Sequence, residues 1–158
     1  MKNSVIIGLK EADCVKITEK LQVLLANYSV FYQNTRGAHW NIKGDQFFTL
    51  HPKFEELYDN LVLKIDEIAE RILTLGGTPN HNYSDYLKLS TIKESTEVSD
   101  ATKCVQNIID AFQVLLGLQR DLLDIAGEAG DEGTNSLMSD YVTEQEKEVW
   151  MYNSYLGK

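Results

Sequence analysis

The sequence of 158 residues predicts one all-α domain, a four-helix bundle with a long crossover connection between helices 2 and 3. Apolar residues recur at helical spacing in four separate stretches, and a long polar segment divides the second stretch from the third. Glycine and proline are scarce, with 10 and 2 residues. Since a chain of this length can bury roughly two-thirds of its unfolded surface, residues 1–158 are expected to share one core.

The first two helices are predicted from apolar residues that repeat every three or four positions. The first runs from Ala12 to about Arg36, and a turn containing Gly37 and Gly44 follows it. The second ends at the pair Gly76 and Gly77, because glycine commonly terminates helices. Its apolar positions are Phe47, Phe48, Phe54, Leu57, Leu61, Ile65, Ile68 and Ile72.

The segment 78–99 is too long for a simple turn and too polar for the core. We expect it to cross the length of the bundle, with a helical turn near Tyr86. Ser99 or Asp100 can cap the third helix, which is predicted to end near Gly127.

A fourth helix is predicted after an acidic loop at 128–133, and it reaches almost to the C-terminal residue. Its apolar positions are Leu137, Met138, Tyr141, Val149, Trp150 and Tyr152. Two short connections and one long one are typical of a bundle with a single crossover.

Charge and cysteine usage exclude several classes of protein. The formal net charge is −9, which repels polyanions and attracts cations, so nucleic acid is not expected as the main partner. Cys14 and Cys104 form no CxxC pair and no disulfide framework, which favours free thiols in a reducing compartment. The N-terminal apolar run is too short for a secretory leader, and no stretch could span a membrane, so a cytoplasmic location is expected.

Two pairs of potential metal ligands lie along the second helix. His39 and His51 flank the first turn, and Glu55 follows His51 by one helical turn. Asp66 and Glu70 form a second pair with the same spacing, which places both side chains on one face, where they can hold a cation. One such pair alone is more often simply a solvated face.

The spacing of the pairs makes the set more specific. Glu55 and Asp66 differ by only about 20° in direction around the helix axis, so both pairs project from nearly one stripe. However, the rise from His51 to Asp66 is about 22 Å, far beyond the roughly 2 Å bonds of one metal site. If all these residues are ligands, two antiparallel copies of the helix must meet about a twofold axis and form two equivalent sites.

A metal site within one subunit is the alternative design. Such a site would place Glu-x-x-His on two helices of the bundle, and the sequence contains no Glu-x-x-His. Imidazole and carboxylate ligands together suit iron, manganese or zinc, so ligand chemistry alone does not select the metal.

A dense motif covers the first turn and the second helix. It comprises HWNIKG at 39–44, Phe47, LHPKFEELY at 50–58, DEIAERI at 66–72 and the glycine pair at 76–77. These segments, together with the spacing of the histidines and acids, resemble the signature of Dps proteins, the starvation ferritins. The resemblance implies a ferritin-like fold and a hollow shell of twelve subunits built from twofold dimers.

The resemblance also implies a function for the ligand set. His39, His51 and Glu55 would come from one subunit, and Asp66 and Glu70 from its twofold mate. There they would bind Fe(II) and oxidise it, with hydrogen peroxide favoured over dioxygen, and the ferric product would be stored as mineral. Such a ferroxidase protects against oxidative stress, because two-electron reduction of peroxide suppresses hydroxyl radicals. The family often has Asp where this chain has the longer Glu55.

Further roles follow from the same resemblance. Trp40 would take up stray oxidising equivalents, although packing at a subunit contact explains it equally well. Asp131 and Asp140 match positions that line a threefold pore for cations, while capping of the fourth helix is the alternative. Glu56 resembles an inward-facing position where mineral begins to form.

The remaining candidates and the competing functions are weaker. The spacing of Tyr28, Tyr32 and Tyr58 predicts core positions, and His81 lies in the polar connection outside the motif. DNA binding is the alternative function, yet the N-terminal stretch offers only Lys2 and Lys10 to neutralise phosphates. A shell without the chemistry is disfavoured by the complete ligand set.

Overall fold

The computed structural model describes residues 3–158 and confirms the all-α bundle with its crossover. Four long helices and two short ones make up this part of the chain. Their bounds are α1 Asn3–Ile6, α2 Glu11–Asn41, α3 Phe47–Thr74, α4 Tyr83–Leu89, α5 Ala101–Ala129 and α6 Glu132–Tyr155. Among the described helices, none combines the length and the apolar character needed to cross a bilayer.

The first long helix continues beyond its predicted end near Arg36. Gly37 lies inside α2, which ends only at Asn41, where Ile42 takes an extended backbone with φ −52° and ψ 138°. A single glycine costs about 1 kcal/mol in a helix interior and does not break a helix that packs along its whole length. The extension matters for function because it places His39 and Trp40 on the last turn of a rigid helix.

The junction of α5 and α6 is also tighter than predicted. Instead of an acidic loop at 128–133, only Gly130 and Asp131 separate the two helices. Gly130 has φ 67°, the left-handed conformation that a glycine adopts without steric cost, and it ends α5. Asp131 then caps α6 by accepting a hydrogen bond from the backbone N–H of Thr134. At the other end of α5, Asp100 is the cap, which decides between the two predicted candidates, Ser99 and Asp100.

The crossover is attached to α2 by three amide side chains that the sequence analysis did not single out. Gln22 donates to the carbonyl of Thr78 and accepts from the backbone N–H of Asn80. The buried Asn27 accepts from the backbone N–H groups of residues 91 and 92. Asn34 donates to the carbonyl of Lys93 and accepts from the backbone N–H of Ser95. These bonds satisfy backbone groups of a long loop, and the predicted helical turn near Tyr86 forms as α4.

The centre of the bundle contains a closed ring of hydrogen bonds. Tyr28 Oη donates to Gln119 Oε1 at 2.8 Å, Gln119 Nε2 donates to Gln145 Oε1 at 2.9 Å, and Gln145 Nε2 donates back to Tyr28 Oη at 2.5 Å. All three side chains are buried, and burial raises the pKa of Tyr28 far above its ordinary value. Each member is therefore neutral and satisfied.

Long polar side chains connect α3 to α6. Lys64 Nζ lies 2.6 Å from Glu144 Oε2 and 4.9 Å from the ring centre of Tyr141. Near the other end of α3, Arg71 forms an ion pair with Asp131 at 2.5 Å. Most of the remaining core is apolar. Its largest fully buried side chains besides Tyr28 are Phe31, Phe54, Phe112, Ile17, Leu21, Leu24, Leu25, Ile42, Leu61, Ile68 and Ile72.

Candidate metal centre

His39 and His51 are held together by two reciprocal hydrogen bonds. Nδ1 of His39 lies 2.7 Å from the backbone oxygen of His51, and Nδ1 of His51 lies 2.8 Å from the backbone oxygen of His39. The rings stack with centroids 3.8 Å apart and an interplanar angle of 18°. The end of α2 is thereby joined to the start of α3 across the turn.

This pairing determines which nitrogen can bind a metal. A carbonyl oxygen only accepts hydrogen bonds, so Nδ1 of each ring must carry the proton and donate it. Nε2 of each neutral imidazole then keeps its lone pair. Histidines that ligate metals usually donate their other N–H to a carbonyl or carboxylate in this manner, which orients the ring and raises its basicity.

The carboxylates of the proposed set lie on the outer face of α3. Glu55, Asp66 and Glu70 are all exposed side chains of this one uninterrupted helix. A rise of about 22 Å from His51 to Asp66 keeps the two ends of the set apart. Within residues 3–158 of a single chain, no three His, Cys, Asp or Glu side chains lie close enough together to hold a metal ion.

Apolar side chains are exposed on the same face of α3. Phe48 is 88% exposed and Leu73 is 54% exposed. Eighteen residues make about five full turns, so Phe48 points in the direction of Asp66, and Leu73 in that of Glu55. Large apolar side chains aligned with carboxylates on an outer helix face are typical of a surface that binds another protein chain.

Aromatic residues surround the histidine pair. Phe47 stacks on His51 with centroids 4.8 Å apart. Tyr58 meets His39 edge-on at 5.3 Å and meets Tyr32 edge-on at 6.1 Å. Tyr28 is a core residue as predicted, whereas Tyr32 and Tyr58 are only half-buried.

Trp40 is exposed next to this cluster. Its indole is 56% exposed, and the guanidinium carbon of Arg36 lies 4.7 Å from its ring centre. The same guanidinium lies 5.2 Å from the ring centre of Tyr32. Both roles considered for Trp40, uptake of oxidising equivalents and packing at a subunit contact, stay predictions.

The two candidate pore carboxylates have different surroundings. Asp131 is 2% exposed, and its carboxylate accepts from Thr134 and forms the ion pair with Arg71. The capping alternative is therefore what the structure supports for Asp131, since its charge is already compensated. Asp140 is exposed on α6, where its charge can act on cations in solvent. Its place at a pore stays a prediction.

No sequence pattern predicts the ion pair between Arg71 and Asp131, although Asp131 itself is a predicted site residue. The guanidinium lies so close to Gly133 that an added Cβ would come within 2.8 Å of its Nη1. An Asp followed by a Thr three residues later indicates the position of the helix cap. The sequence contains no pattern that predicts a contact between residues 71 and 131.

Three further candidates are placed by the structure. Glu56 is exposed and pairs with Lys53 at 2.7 Å, and its proposed role in mineral formation stays a prediction. His81 is exposed in the crossover. Cys14 and Cys104 are free and buried, and burial raises the pKa of Cys104 to about 11.

The bundle interior does not offer the alternative site within one subunit. The polar side chains of the bundle interior include the neutral ring of Tyr28, Gln119 and Gln145, which α2, α5 and α6 contribute. Lys64 of α3 is also buried, and its ammonium is paired with the carboxylate of Glu144. Hydrogen-bonded amides and a protonated phenol are poor ligands for a divalent ion compared with carboxylates and imidazoles. The chemistry of the described residues therefore favours the outer face of α3.

Comparisons with known proteins show what the chain is similar to. Residues 18–158 match the family model described as a ferritin-like domain. The crystal structure of a Dps protein from Vibrio cholerae O1, described as a member of a broad superfamily of ferritin-like diiron-carboxylate proteins, superimposes with a TM-score of 0.94. It is 57% identical, and the match covers 95% of this chain and 94% of that one.

Two further relatives span nearly the same length. A DNA protection during starvation protein from Porphyromonas gingivalis is 45% identical over 97% of this chain and 96% of its own. A Dps protein from Bacillus brevis is 36% identical with a TM-score of 0.89, and the match covers 94% of this chain and 99% of that one.

Proposed function

The chain belongs to the Dps family of ferritin-like proteins, and on this premise we propose that it oxidises Fe(II) at sites shared between two subunits. The family relationship supports a role in iron storage and protection. Each site would combine His39, His51 and Glu55 of one subunit with Asp66 and Glu70 of its twofold mate.

The observation that carries this proposal is the reciprocal pairing of His39 and His51. Because both Nδ1 atoms donate hydrogen bonds, each neutral imidazole keeps a lone pair on Nε2. Both rings are held where the end of α2 meets the start of α3. His39, His51 and Glu55 do not hold a metal ion by themselves, because no three such side chains lie close enough together within the described residues of one chain. The site therefore requires further oxygen ligands. The exposed Asp66 and Glu70 supply them only from a second chain, because the rise of α3 places Asp66 about 22 Å from His51 and Glu70 still further away.

The exposed apolar residues of α3 support the pairing of two chains along this helix. In an antiparallel pair, the stripe that contains Phe48 and Leu73 would be removed from water together with the ligands. Burial contributes about 25 cal/mol per Å² of apolar surface, so large exposed side chains such as these favour association. A twofold axis makes both contacts identical and creates two sites for each dimer.

Fe(II) is the substrate of the proposed reaction, and hydrogen peroxide is the favoured oxidant. Two Fe(II) ions lose one electron each, the O–O bond of the peroxide breaks, and two hydroxide ions form. Carboxylates stabilise the increased positive charge of the ferric product better than neutral ligands do. Because both electrons reach the same peroxide molecule, no hydroxyl radical is released.

Storage would take place in a hollow shell of twelve subunits. The exposed Asp140 on α6 would belong to an acidic entrance that raises the local concentration of Fe(II), which suits a chain with net charge −9. Glu56 would face the cavity and bind ferric ions where the mineral starts to grow.

Direct DNA binding is the alternative function, and a relative is named for DNA protection. The described N-terminal stretch contributes only Lys10, while Lys2 lies outside the described residues. Because the net charge of −9 repels polyanions, we propose protection through the removal of iron and peroxide. A salt-dependent gel shift on the assembled protein tests the alternative, since phosphate neutralisation must weaken as salt rises.

A mixed-subunit experiment tests the shared site. One variant carries His39→Ala and His51→Ala, and the other carries Asp66→Ala and Glu70→Ala, so neither has a complete site alone. In a mixed dimer, one site lacks both halves and the other is complete, so about half of the sites should recover peroxide-dependent Fe(II) oxidation.

The matched control replaces the histidine variant with Asp121→Ala, an exposed carboxylate on α5 outside the proposed site. Mixtures of this control with the acid variant should have the average of the two parental activities, weighted by the mixing ratio. Verified mixed dimers of the two site variants that stayed as inactive as their parents, with the twofold contact preserved, would refute the shared site.

A further inference from the structure

Tyr58 contacts two of the proposed iron ligands at once. Its ring lies edge-on to the imidazole of His39, with centroids 5.3 Å apart and an interplanar angle of 82°. Its hydroxyl oxygen lies 3.5 Å from Oε1 of Glu55, one helical turn earlier on α3. On its other side the ring is supported by Tyr32. This side chain therefore contacts both one member of the histidine pair and the outer carboxylate.

The direction of the hydroxyl contact is determined by protonation. A tyrosine phenol carries its proton at neutral pH, because its ordinary pKa is about 10. A carboxylate can only accept, and the tyrosine hydroxyl therefore donates to Glu55.

Glu55 needs such a partner because it is exposed and flexible. Glutamate has one more rotatable bond than aspartate, so more conformational entropy is lost when its carboxylate is fixed in one position. A donor that holds Oε1 would leave Oε2 free to bind iron. Hydrogen bonds at reactive sites are often long before the substrate binds and shorten when it does.

We propose that Tyr58 is a positioning residue of the iron site, which orients the carboxylate of Glu55 through its hydroxyl and the ring of His39 through edge contact. This inference rests on the proposed function, because Glu55 and His39 must be ligands. It assigns a purpose to a side chain whose sequence position predicts only a place in the core.

Co(II) titration of the assembled protein tests the proposal, because the visible spectrum of Co(II) reports the geometry of its ligands. Tyr58→Phe keeps the ring and removes only the hydroxyl. We expect the Co(II) spectrum to change and the Co(II) affinity to fall by about 10-fold, as is typical when the partner of a metal ligand is lost. Tyr32→Phe is the matched control, since its hydroxyl contacts no proposed ligand, and it should leave both readouts unchanged.

A double-mutant cycle separates positioning from packing. In a Glu55→Asp background the shorter carboxylate no longer extends along the contact with Tyr58, so adding Tyr58→Phe should have little further effect on Co(II) affinity. If Tyr58→Phe lowered the Co(II) affinity equally whether residue 55 is Glu or Asp, the proposal would be overturned. A Tyr58→Phe protein whose spectrum and affinity match those of the unmodified protein would also overturn it.

His51→Ala distinguishes this failure from failure of the proposed function. If His51→Ala abolishes the Co(II) spectrum while Tyr58→Phe leaves it unchanged, the site stands and the role of Tyr58 is wrong. If His51→Ala also leaves the spectrum unchanged, the proposed site itself is wrong. Thermal unfolding of every variant shows whether the fold is preserved.

Discussion

His39 and His51 each donate Nδ1–H to the backbone carbonyl of the other, and their rings stack at 3.8 Å. Twelve residues separate them in the sequence, and they lie on two different helices. The pair thus serves two purposes, since it fastens the end of α2 to the start of α3 and selects the tautomer that leaves Nε2 available.

Metal binding should stabilise the protein through this pair. A ligand at a hundredfold excess over its Kd stabilises the folded state by about 2.7 kcal/mol. Added Co(II) should therefore raise the thermal unfolding midpoint of the unmodified protein and leave that of His51→Ala unchanged. Calorimetry with and without Co(II) measures the effect, and chelation should reverse it. An equal rise in both proteins would mean that the stabilising site does not include His51.

Replacing Asp140 with Asn should slow iron uptake without changing assembly. The substitution removes a negative charge that attracts Fe(II), and we expect a reduction of about 2- to 10-fold at low salt and low Fe(II). Stopped-flow measurement of ferric absorbance at several salt concentrations checks the prediction. The defect should shrink as salt or Fe(II) rises, and unchanged uptake at low salt would show that iron enters elsewhere.

Replacing Asp131 with Asn should instead reduce stability. Asn is as good a helix cap as Asp, so the substitution keeps the cap but removes the charge that pairs with Arg71, whose side chain is 18% exposed, and the carboxylate oxygen that accepts from the Thr134 hydroxyl. Leaving this guanidinium without its partner should cost about 1–3 kcal/mol. Denaturant unfolding measures the loss, with Asp140→Asn as the exposed control that should stay within about 0.5 kcal/mol.

Glu97 should make stability depend on pH in the acid range. Backbone N–H groups of Ser99 and Asp100 and the hydroxyl of Ser99 donate to it and lower its pKa to about 2 from 4.5. A depressed pKa means that the stabilisation is fully present above about 4.5 and is lost as the pH falls towards 2. The carboxylate is on the surface, so the effect should be small.

Glu97→Gln isolates this contribution. The difference in unfolding free energy between the unmodified protein and Glu97→Gln should shrink as the pH is lowered from 6 to 3. Denaturant titrations at both pH values provide the comparison. A difference that is constant over this range would show that the charge of Glu97 does not stabilise the start of α5.

Much of the fold was predictable because helical periodicity is a local property. The four long helices, the crossover, the turn near Tyr86 and the cap at Asp100 are all confirmed. The continuation of α2 through Gly37 was not predicted, because packing overrides the weak helix propensity of a single glycine. The short junction after Ala129 was missed because a run of acidic residues reads equally well as a loop or as a helix end.

The sequence alone determined which candidate ligands α3 carries. It also determined that one chain cannot bring His51 and Asp66 to the same metal, because the rise of a helix is constant. Three-dimensional packing decided the rest. The tautomers of the two histidines, the edge contact of Tyr58 with His39 and the neutralisation of Asp131 by Arg71 depend on where side chains point after the helices pack. Residues 71 and 131 meet only because α3 and α6 lie side by side, and no local pattern encodes that meeting.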